Sequence, residues 1–126
     1  MTFDWSEYYK LSKELAGQTT GSSTEEARLR SAISRAYYAV FCTARNYWSV
    51  KENKPITRSG QEHGAVCDWF LSRSDHLSKD IGEHLDQLRR YRNKADYDDT
   101  FDRLHSDAKK ALDRANQALH QLSKLK

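Results

Sequence analysis

Arg92 is the residue whose type and position most demand chemistry. In the segment that follows Ser78, apolar residues recur at Ile81, Leu85, Leu88 and Ala95, in helical steps of three and four, and Arg92 occupies the same stripe. A guanidinium keeps its charge at any ordinary pH, so an unpartnered burial there would be prohibitive. Three resolutions are open: a carboxylate paired with it in the core, a side chain that reaches out at the edge of the bundle, or a seam that opens into a polar cleft or a subunit interface. Asp96, one turn onward at i+4, is placed to orient it. Tyr37 and Tyr38 offer two phenols on and beside another apolar stripe, either as core aromatics or as donors in a cleft with Arg92. The five histidines, His63, His76, His84, His105 and His120, show no metal-binding spacing. His84 lies two turns before Arg92 and could share its face. Neither a Gly-rich phosphate loop nor a strand–Ser–helix nucleophile elbow is present. No metal and no cofactor are expected.

Helices must position these groups. A first helix is expected over Asp4–Ala16, with Trp5, Tyr8, Tyr9, Leu11 and Leu15 near one side, Asp4 as cap and Gly17 as stop. Gln18–Ser23 reads as a loop. A long helix starts near Thr24, capped by Ser23 or Thr24, with Glu25 and Glu26 in its first turn. Its stripe is Leu29, Ile33, Ala36, Tyr37, Val40, Phe41, Ala44, Tyr47 and Trp48, and its opposite face carries Arg28, Ser31, Arg35 and Arg45. A loop over Glu52–Gly60 holds Pro55. The third helix is expected over Gln61–Arg73, with Ala65, Val66, Trp69 and Phe70 inward. After a break at Ser74–Leu77 the fourth starts near Ser78. The fifth follows Asp98-Asp99-Thr100, with Phe101, Leu104, Ala108, Ala111, Leu112, Ala115, Leu119 and Leu122 in its stripe. Few β-branched residues and one Pro leave little strand material. The expected fold class is all-α, an antiparallel up-down bundle of about five helices.

Composition narrows the function classes. With 126 residues, one domain over 1–126 is expected, with its core over 24–122. The longest unbroken apolar run, Ala36–Cys42, is far short of the ~20 residues of a membrane span. No basic-then-apolar leader is visible at the start. Cys42 and Cys67 fall in apolar helical stretches and outside any C-x-x-C pattern, as expected for small buried thiols in a reducing cytoplasm. The net charge of +3 permits a nucleic-acid partner without demanding one. The one dense basic cluster is Arg89-Arg90-Tyr91-Arg92-Asn93-Lys94.

Three strings are more specific than composition. They are Ser34-Arg35-Ala36-Tyr37-Tyr38-Ala39-Val40-Phe41 followed by Ala44, His63-Gly64-Ala65-Val66 with Phe70, and Arg92-Asn93-Lys94-Ala95-Asp96-Tyr97. In order and spacing they resemble the HEPN domain superfamily, most closely its small stand-alone proteins of the UPF0332-type group, over about Thr24–Leu122. The resemblance implies a helical bundle that usually dimerises through the faces carrying these motifs. It also implies a role among toxins paired with small nucleotidyltransferases, antiphage effectors, or non-catalytic modules that bind nucleotides or serve as scaffolds. Many members are metal-independent endoribonucleases with an R-x4–6-H motif and a polar residue after the Arg. Such chemistry needs a group that moves protons near neutrality and a fixed cation for the crowded phosphate.

Here Arg92 matches the Arg, Asn93 matches the polar residue, and Tyr97 stands where the His would be. A phenol, with an ordinary pKa near ~10, is a poor base at neutral pH but still donates hydrogen bonds. In an alternative register Arg90 pairs with Ala95 and Tyr97, like the R-x4-H-x-Y toxins whose Tyr is nucleotidylated. Helical phase favours Arg92. The resemblance thus implies Arg92, Asn93 and Tyr97 as catalytic candidates and Arg35, Tyr37, Tyr38, Arg89 and Asp96 as binding candidates. The implied partners are RNA or a nucleotide, a nucleotidyltransferase antitoxin, and a second copy of the chain.

Overall fold

The computed structural model describes residues 2–17 and 24–126. The expected loop at Gln18–Ser23 and the candidate cap Ser23 lie outside the described residues. Five helices make up the fold: α1 (Ser6–Gly17), α2 (Glu25–Glu52), α3 (Gln61–Ser72), α4 (His76–Tyr97) and α5 (Leu104–Ser123). Among the described residues there is no strand, and the expected all-α bundle is what forms. The longest helix, α2, is central and packs against α1, α4 and α5, while the short α3 lies mainly on α4.

The central position of α2 explains its burial. The stripe from Leu29 to Trp48 faces α4 and α5, yet Ala32 and Ala39, off that stripe, are also fully buried. These small side chains let a second layer approach. α1 supplies that layer, with Ser12 buried and its hydroxyl donated to the Tyr9 carbonyl at 2.8 Å. The opposite face of α2, expected to meet solvent, is therefore partly covered. Arg35 lies over the ring of Tyr8 at 4.9 Å and Arg45 over Trp5 at 5.7 Å. Leu11, grouped by spacing with the apolar side of α1, is exposed.

Helix ends follow local chemistry. Asp4 accepts hydrogen bonds from the Ser6 amide and hydroxyl at 3.0 and 2.7 Å, the expected cap of α1. Thr24 stands at the N-cap position of α2, in helical φ/ψ, and its carbonyl accepts from the Arg28 amide at 2.9 Å; its hydroxyl makes no cap bond and accepts from the Arg28 side chain at 2.7 Å. α2 ends on Asn53 in the left-handed region, φ 50°, and the Lys54 amide donates back to the Ser49 carbonyl at 3.0 Å. The fourth helix starts two residues before the expected Ser78, because Asp75 is the cap: its carboxylate accepts from the Ser78 amide at 2.9 Å. Ala65, expected inward on α3, is exposed, while Val66 and Phe70 are buried as expected.

Two close approaches tie α3 to its surroundings. Gly82 lets α3 sit directly on α4: a Cβ there would stand 2.9 Å from the Leu71 backbone nitrogen. Cys67 donates its thiol to the Gly82 carbonyl at 3.4 Å. Glu62, buried at the start of α3, holds the preceding loop by accepting from the Thr57 amide and hydroxyl at 2.7 and 3.1 Å.

Candidate functional site

Arg92 stands on α4 between two buried apolar neighbours of its stripe, Leu88 and Ala95. Its side chain is 16% exposed, so it is neither sealed in the core nor free in solvent. The Nε–H donates to Asp96 Oδ2 at 2.9 Å, Nη1 to Asn93 Oδ1 at 3.2 Å and Nη2 to the Tyr97 hydroxyl at 3.4 Å. A guanidinium has five N–H donors, and three are engaged. The planar cation also lies near two rings, 5.2 Å from the centre of Tyr38 on α2 and 5.3 Å from that of Tyr97. Burial alone would disfavour the charge, but Tyr38, Tyr97 and Asp96 outweigh it and hold the pKa of Arg92 above the ordinary arginine value.

Of the three resolutions open to Arg92, the structure adopts a combination. A carboxylate does pair with it, but at the surface: Asp96 is 27% exposed and also accepts from Ser34 of α2 at 3.2 Å. The Tyr97 side of the cluster faces solvent, with that residue 71% exposed. The seam thus ends in a polar, open cluster at the C-terminal end of α4.

α2 and α3 extend this cluster inward. Tyr37 is 1% exposed and its hydroxyl is hydrogen bonded to Nδ1 of His63 on α3. The His63 ring is stacked on Phe41, with centres 4.0 Å apart and planes 7° from parallel, and meets Tyr38 edge to face at 6.0 Å. Burial lowers the His63 pKa below the usual histidine value, and Arg89 and Arg92 lower it further by repulsion. Burial raises the pKa of Tyr37 well above the ordinary tyrosine value and that of Tyr38 in the same direction, with the arginines partly opposing. Arg89 is half-buried beside α3, with Nη1 3.7 Å from where a Gly64 Cβ would be.

Of the expected site residues, Arg92, Asn93, Asp96 and Tyr97 are in direct contact, Tyr38 joins them through its ring, and Tyr37 and Arg89 stand behind it. Arg35 does not join them, because its guanidinium is turned onto Tyr8 of α1. Arg90, the cation of the alternative register, pairs with Asp86 at 3.3 Å on an exposed face, and Ala95 of that register is buried. His84 points to α5 and accepts from Arg114 at 3.1 Å, away from Arg92. Sequence reasoning grouped His63 with the scattered histidines. The one signal that could have singled it out is its place at the head of the middle motif. Also missed was Arg30, which donates to the backbone carbonyls at the end of α4, with Asp98 O at 2.6 Å and Ala95 O at 3.1 Å. Among the described residues no three His, Cys, Asp or Glu side chains converge on a point that could hold a metal ion.

Every side chain of this cluster falls within residues 18–125, the stretch that matches the HEPN domain family. The chain belongs to the HEPN domain family. A relative by sequence is an uncharacterized protein of Methanocaldococcus jannaschii, 30% identical over an alignment of 112 residues that covers 76% of this chain and 61% of that protein. The chain thus spans about three-fifths of that relative's length. No solved structure matches the chain significantly. Within the HEPN match, α2, α3 and α4 supply the whole cluster, while α1 lies outside it.

Proposed function

We propose that this HEPN protein is a toxin or defence ribonuclease that takes RNA across the Arg92 face and cleaves it without a metal, as a dimer in which each subunit contributes one such face. The observation that carries the reading is the state of Arg92: a permanent cation held in place at the surface by Asp96, Asn93 and Tyr97, with two N–H donors left for an anion. Arg92 clamps the scissile phosphate, Asn93 fixes the guanidinium plane, and the exposed Tyr97 hydroxyl donates a hydrogen bond to the reacting phosphate or its leaving oxygen. Arg89 adds positive potential from the α3 side.

A second reading is favoured by Tyr97 itself. With a phenol where nuclease members carry a His, the same face serves as a non-catalytic module for RNA, a nucleotide or a nucleotidyltransferase antitoxin. The two buried thiols, Cys42 and Cys67, fit a cytoplasmic setting for either. Among the described residues no helix is long and apolar enough to cross a membrane.

Incubation of the purified protein with unstructured RNA in EDTA separates the readings. Cleavage that Arg92→Ala abolishes supports the nuclease. Tight binding without cleavage, weakened about 10- to 100-fold by Arg92→Ala as expected for a lost charged hydrogen bond, supports the binding module. RNA binding and cleavage that ignore Arg92→Ala overturn both.

A further inference from the structure

His63 and Tyr37 form a pair that the roles above leave unused. The hydroxyl of Tyr37 has one hydrogen-bond partner among the described residues, Nδ1 of His63. A phenol this deeply buried keeps its proton and needs an acceptor for it. The His63 imidazole can be that acceptor because it is neutral near pH 7: burial, Arg89 and Arg92 all lower its pKa. Neutral imidazole carries a single N–H. With Nδ1 accepting from Tyr37, the proton resides on Nε2. That nitrogen makes no hydrogen bond to a described residue, and the His63 side chain is only half-buried.

The plane of the ring is held by its neighbours. It is stacked on Phe41 and bounded edge-on by Tyr38, whose own ring lies under the Arg92 guanidinium. His63 and Arg92 therefore touch the same aromatic side chain from two helices. A neutral donor suits this place. An imidazolium would face two guanidiniums, whereas a neutral Nε2–H adds a directed hydrogen bond without that repulsion.

We propose that Tyr37 fixes His63 as the Nε2–H tautomer and that this N–H is a second donor to the phosphate oxygens of the RNA strand bound by Arg92. His63 then touches the substrate, and Tyr37 is a positioning residue. The inference rests on the RNA reading given above.

The test uses the full chain with 15N-labelled histidine and an unstructured, fluorescently labelled oligoribonucleotide in EDTA. Long-range 1H–15N spectra of the wild type should show His63 with a bare Nδ1 and a protonated Nε2, and Tyr37→Phe should convert this to a mixture of tautomers. His63→Phe keeps the stacking and removes the donor; it should weaken RNA binding roughly 10- to 100-fold, the worth of one hydrogen bond to a charged phosphate. His63→Gln, which retains a side-chain N–H, should recover part of that loss. A wild-type spectrum with the proton on Nδ1 overturns the inference whatever the RNA data show, and it decides the matter if His63→Phe fails to fold. Weakened binding in Arg92→Ala beside wild-type binding in His63→Phe overturns the donor role and leaves the RNA reading standing. Unchanged binding in Arg92→Ala overturns the RNA reading, and the donor role falls with it.

Discussion

Replacing Arg30 should damage the site without touching it. The last carbonyls of a helix have no intrahelical partner and carry the negative end of its dipole. At the end of α4 these groups are met by a side chain from α2: Arg30 Nη1 donates to the carbonyls of Asp98, Ala95 and Lys94 at 2.6, 3.1 and 3.3 Å, and Nη2 reaches the Asp99 carbonyl at 3.4 Å. Glu26 holds the guanidinium from the other side at 3.0 Å, and the ring of Phe101 lies 5.9 Å away. Arg30→Met keeps the packing of the stem and removes every one of these donors. A hydrogen bond from a charged group contributes about 1.5–3 kcal/mol net when desolvated. Only the two shortest contacts have good length, and the freed carbonyls near the surface regain water, so the loss should be about 2–3 kcal/mol. For a chain of this size that is roughly a 10 °C fall in Tm.

Denaturant melts measure the energy, and amide hydrogen exchange locates it. The Asp98 amide, bonded to the Lys94 carbonyl at 3.1 Å, should exchange faster in Arg30→Met relative to amides in the middle of α4. RNA binding should weaken in parallel, because Asp96 and Tyr97 ride on the same last turn. Arg30→Lys, with one ammonium in place of a fork, should fall between the two. A stability loss under about 0.5 kcal/mol together with unchanged exchange at Asp98 would refute the claim that Arg30 holds this end of the helix.

Two glycines should respond in opposite directions. Gly82→Ala puts a methyl 2.8 Å from the Leu71 side chain and 2.9 Å from its backbone nitrogen; overpacking of about 1–3 kcal/mol outweighs a helix-propensity gain near 1 kcal/mol, and urea melts should show a net loss. Gly64→Ala meets only Arg89 Nη1 at 3.7 Å and should stabilise by about 0.5–1 kcal/mol, a sign that a destabilised variant would contradict. Stability should also decline as pH falls from about 7. The pKa values of His63 and His84 are lowered in the fold, chiefly by burial, with Arg89 and Arg92 acting on the first and Arg114 on the second. Below the unfolded value near ~6.5 the unfolded chain binds protons that the folded chain does not, so stability is lost until the lowered folded values are passed. Melting curves between pH 7.5 and 5 check this, and a flat Tm in wild type would contradict it.

The legible parts of this protein are those fixed by neighbours along the chain. Five amphipathic patterns predict five helices because a stripe at helical spacing must be buried somewhere, and the stripe of α2 from Leu29 to Trp48 is the one that fills the core. Arg92 was visible as an anomaly for the same reason. What could not be read is what depends on which helix lies beside which. Arg35 and Arg45 look solvent-bound until α1 covers them, and the clue, Ala32 and Ala39 on a second side of α2, reads as neutral spacing. Ala65 failed because one residue of helical phase separates an inward from an outward position. Tyr37 and His63, or Arg30 and Asp98, are far apart in sequence. Only the packing of α3 and α4 against α2 makes them partners.

The charges around Arg92 are unevenly placed, which under the proposed reading would favour one side for a bound phosphate. Beyond Tyr97 the chain continues into Asp98 and Asp99, and these carboxylates oppose a phosphate on that side. On the other side stand Arg89, one turn earlier on α4, and the ring of His63, whose pKa is lowered first by burial and then by Arg89 and Arg92. The negative end of the α4 dipole would also oppose an anion, but the Arg30 guanidinium sits against it, on the Ala95 carbonyl and on the Asp98 carbonyl just past the helix end. An anion reaching Arg92 is therefore steered toward α3 and away from the α4–α5 turn. Under the reading proposed above, the donors left on Arg92 and the Nε2–H of His63 would act on one phosphate from two helices, with the exposed Tyr97 on the solvent side.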